Sequence, residues 1–277
     1  NLDACCTFAL GRVCVVSGIP GCGKSEFVDE LVLRLGLRHH WKAAYFSPEN
    51  MPLIYHFNKL AEKISGKTFR KGHMSEMLYQ LTLDYLEENI TSIMPEDNYS
   101  VDNILIKARE LVHRRGIRIL VIDPYNRLEH QVARGDSETQ YISAFLDKLT
   151  NFAQRNHSLV ILVAHPRKMN REPGSHKKMT PDLYDINGSA NFFNKCDFGL
   201  IVERDYDQKL TTVHVEKVKF KHLGVKGKAY FRYNGFNGRF VECTIDEKNN
   251  QITTEPFDNE CWLEEREPIQ LTLNTEE

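Results

Sequence analysis

Val13-Cys14-Val15-Val16-Ser17-Gly18-Ile19-Pro20-Gly21-Cys22-Gly23-Lys24-Ser25 is the stretch that decides the fold. Its four leading apolar residues read as a strand buried on both faces, because a half-buried strand would alternate. The last eight, residues 18–25, fit G-x-x-x-x-G-K-[ST], and residues 26–35 follow as an amphipathic helix. A glycine-rich turn between strand and helix lets backbone N–H groups converge on phosphate oxygens, and the helix N-terminus adds positive potential. Gly18, Ile19, Pro20, Gly21, Cys22, Gly23, Lys24 and Ser25 are therefore expected to cradle a nucleotide. Lys24 would reach the β- and γ-phosphates, and the Ser25 hydroxyl would hold Mg²⁺. A plain strand-to-helix turn needs neither this spacing nor this context.

Outward from that turn, short apolar runs at 43–46, 117–122, 159–163 and 198–202 alternate with helical periodicity at 51–64, 77–86, 104–112 and 141–152. Strands buried on both faces with helices between them predict an α/β fold, a mostly parallel central sheet flanked by helices. After Asp205 the texture changes. Runs at 211–215, 217–220, 229–233 and 239–241, the last two parted by Asn234-Gly235 and Asn237-Gly238, predict antiparallel strands extending the sheet. The expected division is an N-terminal extension over 1–10, a single nucleotide-binding domain over 11–254, and an acidic tail over 255–277 that Trp262 docks.

The chain has 277 residues, 41% hydrophobic and 27% charged, with a formal net charge of −2. These values exclude a dominantly disordered or histone-like polybasic chain, so any nucleic-acid site must be a local patch. No run of about 18 apolar residues suggests a membrane span. The seven cysteines are an odd number without a C-x-x-C pair, a poor disulfide framework and a poor zinc site, so a reducing cytosol is expected. No signal-peptide pattern is read, and the chain opens on Asn1 rather than Met, as a fragment of a longer protein would.

Two carboxylates complete the chemistry. Asp123 ends the apolar run 119–122, where a P-loop enzyme needs a carboxylate beside the loop to position Mg²⁺; alone, a strand-terminal Asp is as often a helix cap. Glu49 follows the second strand in Phe46-Ser47-Pro48-Glu49. A base there would stand beside the γ-phosphate, because ligands sit at the carboxyl ends of strands in open α/β sheets. A solvated loop residue is the equal alternative on spacing.

Together these motifs resemble the helicase domain of the hexameric replicative helicases of superfamily 4, of the DnaB, phage primase-helicase and Twinkle type, which have a RecA-like core. The resemblance runs over roughly 11–242. It rests on the P-loop, Tyr45-Phe46-Ser47-Pro48-Glu49, Val121-Ile122-Asp123-Pro124, Ala164-His165-Pro166-Arg167-Lys168 and Asp185-Ile186-Asn187-Gly188-Ser189-Ala190. It implies that Glu49 activates the attacking water and that His165 contacts the γ-phosphate and links hydrolysis to DNA. The loop bearing Arg167, Lys168, Arg171, Lys177 and Lys178, with Asn187, Gly188 and Ser189 after it, would track the phosphates of single-stranded DNA. A solvated surface loop is the alternative for that cluster. A basic residue on Glu216-Lys217-Val218-Lys219-Phe220 would reach the neighbouring subunit's nucleotide. The family usually has Arg where this chain has Lys219, so Lys219, Lys217 and Lys221 all stay open as the finger. Tyr233 falls where some members stack an aromatic on the base, and a cross-strand aromatic is the equal alternative.

The resemblance thus implies a hexameric ring that hydrolyses ATP, or another NTP or dNTP, with Mg²⁺ to move 5′→3′ on single-stranded DNA and unwind duplex. Primase or other replisome proteins would be partners, no membrane would be involved, and the location would be the cytoplasm, with the nucleoid and replisome. A RecA/RadA-type recombinase shares the core, and a P-loop small-molecule kinase shares the phosphate cradle; neither explains the segment after His165.

Overall fold

The computed structural model describes residues 2–95, 98–129, 137–167, 181–186, 190–246 and 251–263. Among them one ten-stranded sheet organises the chain. In chain order its strands are β1 (Arg12–Ser17), β2 (Lys42–Phe46), β3 (Ile90–Ser92), β4 (Ile117–Ile122), β5 (Leu159–Val163), β6 (Phe198–Asp205), β7 (Leu210–Val218), β8 (Gly227–Tyr233), β9 (Phe240–Asp246) and β10 (Gln251–Thr254). Their spatial order is β10-β9-β8-β7-β6-β1-β5-β4-β2-β3. The pairings from β3 through β6 are parallel, and β7 to β10 add antiparallel strands beyond β6.

The helices are α1 (Leu2–Cys5), α2 (Lys24–His39), α3 (Leu53–Ser65), α4 (Glu76–Asn89), α5 (Val101–Arg115), α6 (Glu138–Arg155) and α7 (Ala190–Lys195). Two buried clusters explain why the central strands read as continuous apolar runs. Cys14 and Val16 of β1 pack with α2 and α3 on one face, and Val13 and Val15 pack with α5 and α6 on the other. Local chemistry sets the helix ends. Ser75 and Ser100 accept hydrogen bonds from the first turns of α4 and α5, and Ser137 with Gln140 forms a capping box on α6.

The short strands β3 and β10 and the one-and-a-half-turn α7 carry too few residues for periodicity to reveal. The run at 217–220, expected to be a strand of its own, is instead the end of β7 and the residues just past it. Before β1, Cys6 bridges to Gly224, and after β10, residues 258–263 pack back on α3. Arg239, 1% exposed, fastens that second segment. It donates to the carbonyls of Lys63 and Ile64 at the end of α3, to those of Asp258 and Glu260, and to the Asp258 carboxylate. Trp262 lies over the Arg239 guanidinium at 4.1 Å and over Arg34 at 4.5 Å.

Candidate active site

The loop 18–25 joins β1 to α2, and its conformation requires glycine. Gly18 has φ +150°, and a Cβ there would lie 2.2 Å from the Val202 carbonyl oxygen. Gly23 caps α2 at φ 91°, a left-handed conformation that strains other residues. Lys24 is 5% exposed, and its Nζ donates to the carbonyls of Gly18 at 2.8 Å and Ile19 at 3.0 Å. The ammonium thus lies along the loop and satisfies its hydrogen bonds on the loop's own oxygens. Burial pulls its pKa down, while Cys22, Asp123 and Glu49 oppose that pull.

Asp123 leaves the end of β4 beside this loop. Its backbone N–H donates to the Phe46 carbonyl at 2.9 Å, which ties the end of β4 to the end of β2. Its carboxyl is 7% exposed and pushed up to about 6, first by burial and then by the negative charges of Asp29 and Glu49. The Ser25 hydroxyl hydrogen-bonds it and, with Lys24, holds the shift in check. A buried carboxylate raised this way would be stabilised by a cation beside it, and the nearby Ser25 oxygen is the second ligand that the sequence predicts for one.

Glu49 occupies the 3₁₀ turn Pro48–Asn50 between β2 and α3. It is close enough to influence Lys24, Asp123 and His165. Its Oε1 accepts from Arg127 Nε at 2.7 Å. His165 follows β5, its backbone N–H bonded to Asn126 Oδ1 at 3.3 Å, and its Nδ1 is buried without a hydrogen-bond partner among the described residues. Burial, then Lys24, lowers the imidazole pKa, so the ring is neutral at neutral pH. Lys24, Ser25, Glu49, Asp123 and His165 thus gather at the carboxyl ends of β1, β2, β4 and β5. Among the described residues no group of three or more His, Cys, Asp or Glu is placed to hold a metal, so a cation here would depend on substrate phosphates and water.

Arg127 and Asn126 had no signal in the sequence beyond their nearness to Asp123, and Tyr206 had none. Tyr206 donates its hydroxyl to the Gly21 carbonyl at 2.7 Å, and Arg204 lies over the Tyr206 ring at 5.3 Å and the Tyr233 ring at 5.1 Å. Tyr233 also packs on its cross-strand neighbour Phe240 at 5.3 Å. Its phenol is pushed up to about 12 by burial and by Glu26. An aromatic and cationic surface therefore borders the P-loop.

Two of the three finger candidates, Lys219 and Lys217, are engaged within the chain. Lys219 pairs with Asp197 at 3.1 Å, a carboxylate that is 2% exposed and also accepts from the Val13 N–H. Lys217 donates to the carbonyls of Phe193 and Asn194 at the end of α7. Lys221 lies in the following 3₁₀ turn, Lys221–Leu223. Of the expected DNA residues, Arg167 is described. Its N–H donates to the Asp185 carbonyl at 2.7 Å and its guanidinium lies 3.5 Å from the Asp185 carboxylate, while Pro166 bridges Ile186. Lys168, Arg171, Lys177, Lys178, Asn187, Gly188 and Ser189 lie outside the described residues.

Comparison with known proteins follows the same lines. Residues 1–241 match the DnaB-like helicase C terminal domain family. The chain is 36% identical over 259 residues to the Twinkle homolog protein, chloroplastic/mitochondrial, of Arabidopsis thaliana, covering 88% of this chain and 36% of that protein. It therefore spans about a third of that relative's length. Among solved structures, one ATPase domain superposes with a TM-score of 0.69 at 21% identity, covering 85% of this chain and 86% of that one. A DnaB-like replicative helicase, studied for its interactions with primase, gives a TM-score of 0.68 at 21% identity over 84% of this chain and 59% of that one. These likenesses show a shared fold, mixed α/β with a large, mostly parallel sheet. By the family match over most of its length, the chain belongs to the DnaB-like helicase C-terminal domain family.

Proposed function

We propose that this domain is the motor of a replicative DNA helicase, hydrolysing a nucleoside triphosphate to translocate on single-stranded DNA and unwind duplex as a hexameric ring. The observation that carries the reading is the convergence of Lys24, Ser25, Asp123, Glu49 and His165 on one loop. Family membership favours it over the recombinase and kinase readings.

The residues present fit a nucleotide with Mg²⁺. Glycines shape the cradle, the Lys24 ammonium rests on carbonyls that phosphate oxygens would replace, and the Asp123 carboxylate is buried short of positive charge. Ser25 and Asp123 would hold the ion, which supplies neutralisation of phosphate charge. Lys24 leaves the Gly18 carbonyl for the phosphates. Glu49 accepts a proton from the attacking water; the 2.7 Å ion pair with Arg127 engages Oε1, so Oε2 is the oxygen that would take it. His165 Nδ1, without a hydrogen-bond partner among the described residues, has a hydrogen bond to spare for the substrate. Tyr233 and Arg204 supply a surface for the base.

A basic residue between Lys217 and Lys221, at the end of β7 and just past it, would complete the neighbour's site. The loop with Arg167, Lys168, Arg171, Lys177 and Lys178, and the turn Asn187, Gly188 and Ser189, would contact DNA. Residues 11–254 form the motor in this reading, with 1–10 and 255–277 as flanking segments. The cytoplasmic, nucleoid- and replisome-associated location stays proposed, with primase as a partner because one structural neighbour was studied with primase; one relative carries an organellar name, so an organellar replisome is the other location proposed. Among the described residues no helix is long and apolar enough to cross a membrane.

The test is strand separation by the purified protein on a forked duplex, with parent and Lys24→Ala compared. Nucleotide-dependent unwinding by the parent, with none by Lys24→Ala, is expected. Nucleotide hydrolysis that ignores single-stranded DNA, by a chain that forms no ring, would refute the motor reading.

A further inference from the structure

Between α2 and α3 lies a buried polar cluster that the proposed chemistry does not use. His56 Nε2 and Asp29 Oδ1 are 3.0 Å apart, and both side chains are 3% exposed. Lys59 Nζ stands 3.8 Å from Asp29 Oδ2 and 2.5 Å from Glu26 Oε1. The Tyr45 ring meets the imidazole edge-on at 5.0 Å. Burial opposes both charges, yet Asp29 holds the imidazole above its ordinary pKa, and His56, Lys59 and Lys63 hold the Asp29 carboxyl below its own. Both shifts favour the charged forms of the pair.

Stability does not explain it. Taking an ion pair out of water costs several kcal/mol per ion, and packed apolar residues of similar volume hold helices together as well or better. A hydrogen-bonded pair does give one geometry, where apolar contacts tolerate sliding. Its location shows what that geometry fixes. Asp29 lies one helical turn beyond Ser25, on the same face of α2. His56 is in the first turn of α3, seven residues after Glu49. The charge of Asp29 reaches Asp123, and that of Asp123 reaches His56. The bond thus spans from the helix that carries Lys24 and Ser25 to the helix that the Glu49 turn enters.

We infer that Asp29 and His56 are a positioning pair that fixes the Glu49 turn against the P-loop helix. The inference rests on Glu49 being the group that activates water. It predicts that the pair acts on turnover and not on nucleotide affinity, because neither residue belongs to the phosphate loop.

The experiment replaces both partners at once, Asp29→Leu with His56→Leu, so that no charge is left orphaned, alongside His56→Gln, which keeps a donor within reach of Asp29. Turnover and nucleotide Kd are measured on the full chain in its assembled state, with unfolding midpoints and with Glu49→Gln as the reference. The expected result for the double variant is a midpoint equal to or above the parent's, an unchanged Kd, and kcat about tenfold lower, a barrier higher by about 1.4 kcal/mol. His56→Gln should retain kcat within about threefold, since a side-chain amide donates to the same carboxylate. A double variant with parental kcat overturns the inference, as does one that loses Kd in step with kcat or fails to fold, since the pair would then be structural. Glu49→Gln with full turnover removes the reading of Glu49 itself. A dead Glu49→Gln beside a fully active double variant removes the pair alone.

Discussion

Asp123→Asn tests the cation site without any nucleotide. The Asp123 carboxyl is raised from its ordinary 3.8 to about 6 by burial. Because the folded pKa lies above the unfolded one, the folded chain binds the extra proton between those values, and stability falls as pH rises through that window. Two pH units at about 1.36 kcal/mol each give a penalty of about 3 kcal/mol, fully present above pH 6. Asparagine has the same shape, carries no charge and incurs no such penalty. Its own cost, an amide N–H₂ with one partner fewer than it needs, does not change with pH. The difference in unfolding free energy between variant and parent should therefore grow by about 2 kcal/mol from about pH 4.5 to about pH 7.5. Urea unfolding of both proteins in EDTA across that range measures it. Added Mg²⁺ with nucleotide should close the gap by stabilising the parent, and turnover of the variant should collapse. A difference that stays flat with pH would refute the reasoning, because the carboxylate would then be as well solvated in the folded chain as in the unfolded one.

The remaining predictions concern the cradle, the base, the finger and the loop. Gly18→Ala should destabilise the protein by on the order of 2 kcal/mol or more and abolish nucleotide binding, since its Cβ would meet the Val202 carbonyl at 2.2 Å; denaturant unfolding and nucleotide titration check both. Glu49→Gln should lower turnover about 10²–10⁴-fold with nucleotide affinity retained. Its exposed pair with Arg127 contributes at most about 1 kcal/mol to stability, so unfolding would not explain such a loss. Glu49→Gln and Lys219→Ala chains, each inactive alone, should regain turnover when mixed, because some interfaces would then join an intact Glu49 to an intact Lys219. No recovery would move the finger to Lys217 or Lys221. Lys177 and Lys178 changed together to Ala should flatten the salt dependence of oligo-dT binding by about 1.4 in log–log slope if both touch phosphate, leaving basal hydrolysis intact.

The cradle and its fold were legible because their signals are local. A continuous apolar run followed by G-x-x-x-x-G-K-[ST] needs only neighbours in sequence to be read, and the alternation of such runs with helical periodicity yields the parallel sheet. Asp123 and Glu49 were legible as strand-end carboxylates, and His165 through family resemblance. The order of the strands, which seats β5 and β4 between β1 and β2, was not legible, because pairing is decided by which faces bury together over distances the sequence does not encode locally. That order is what brings Glu49, Asp123 and His165 to the same loop.

The partners that tune these groups belong wholly to the tertiary structure. Arg127 on Glu49, Tyr206 on Gly21, Lys219 on Asp197 and His56 on Asp29 are separated by 78, 185, 22 and 27 residues respectively, and none follows a periodicity. What the sequence by itself determined is the local geometry of the phosphate loop, since backbone conformation answers to adjacent residues. What only the folded chain decided is the charge state and reach of the side chains around that loop, because burial and long-range partners set both.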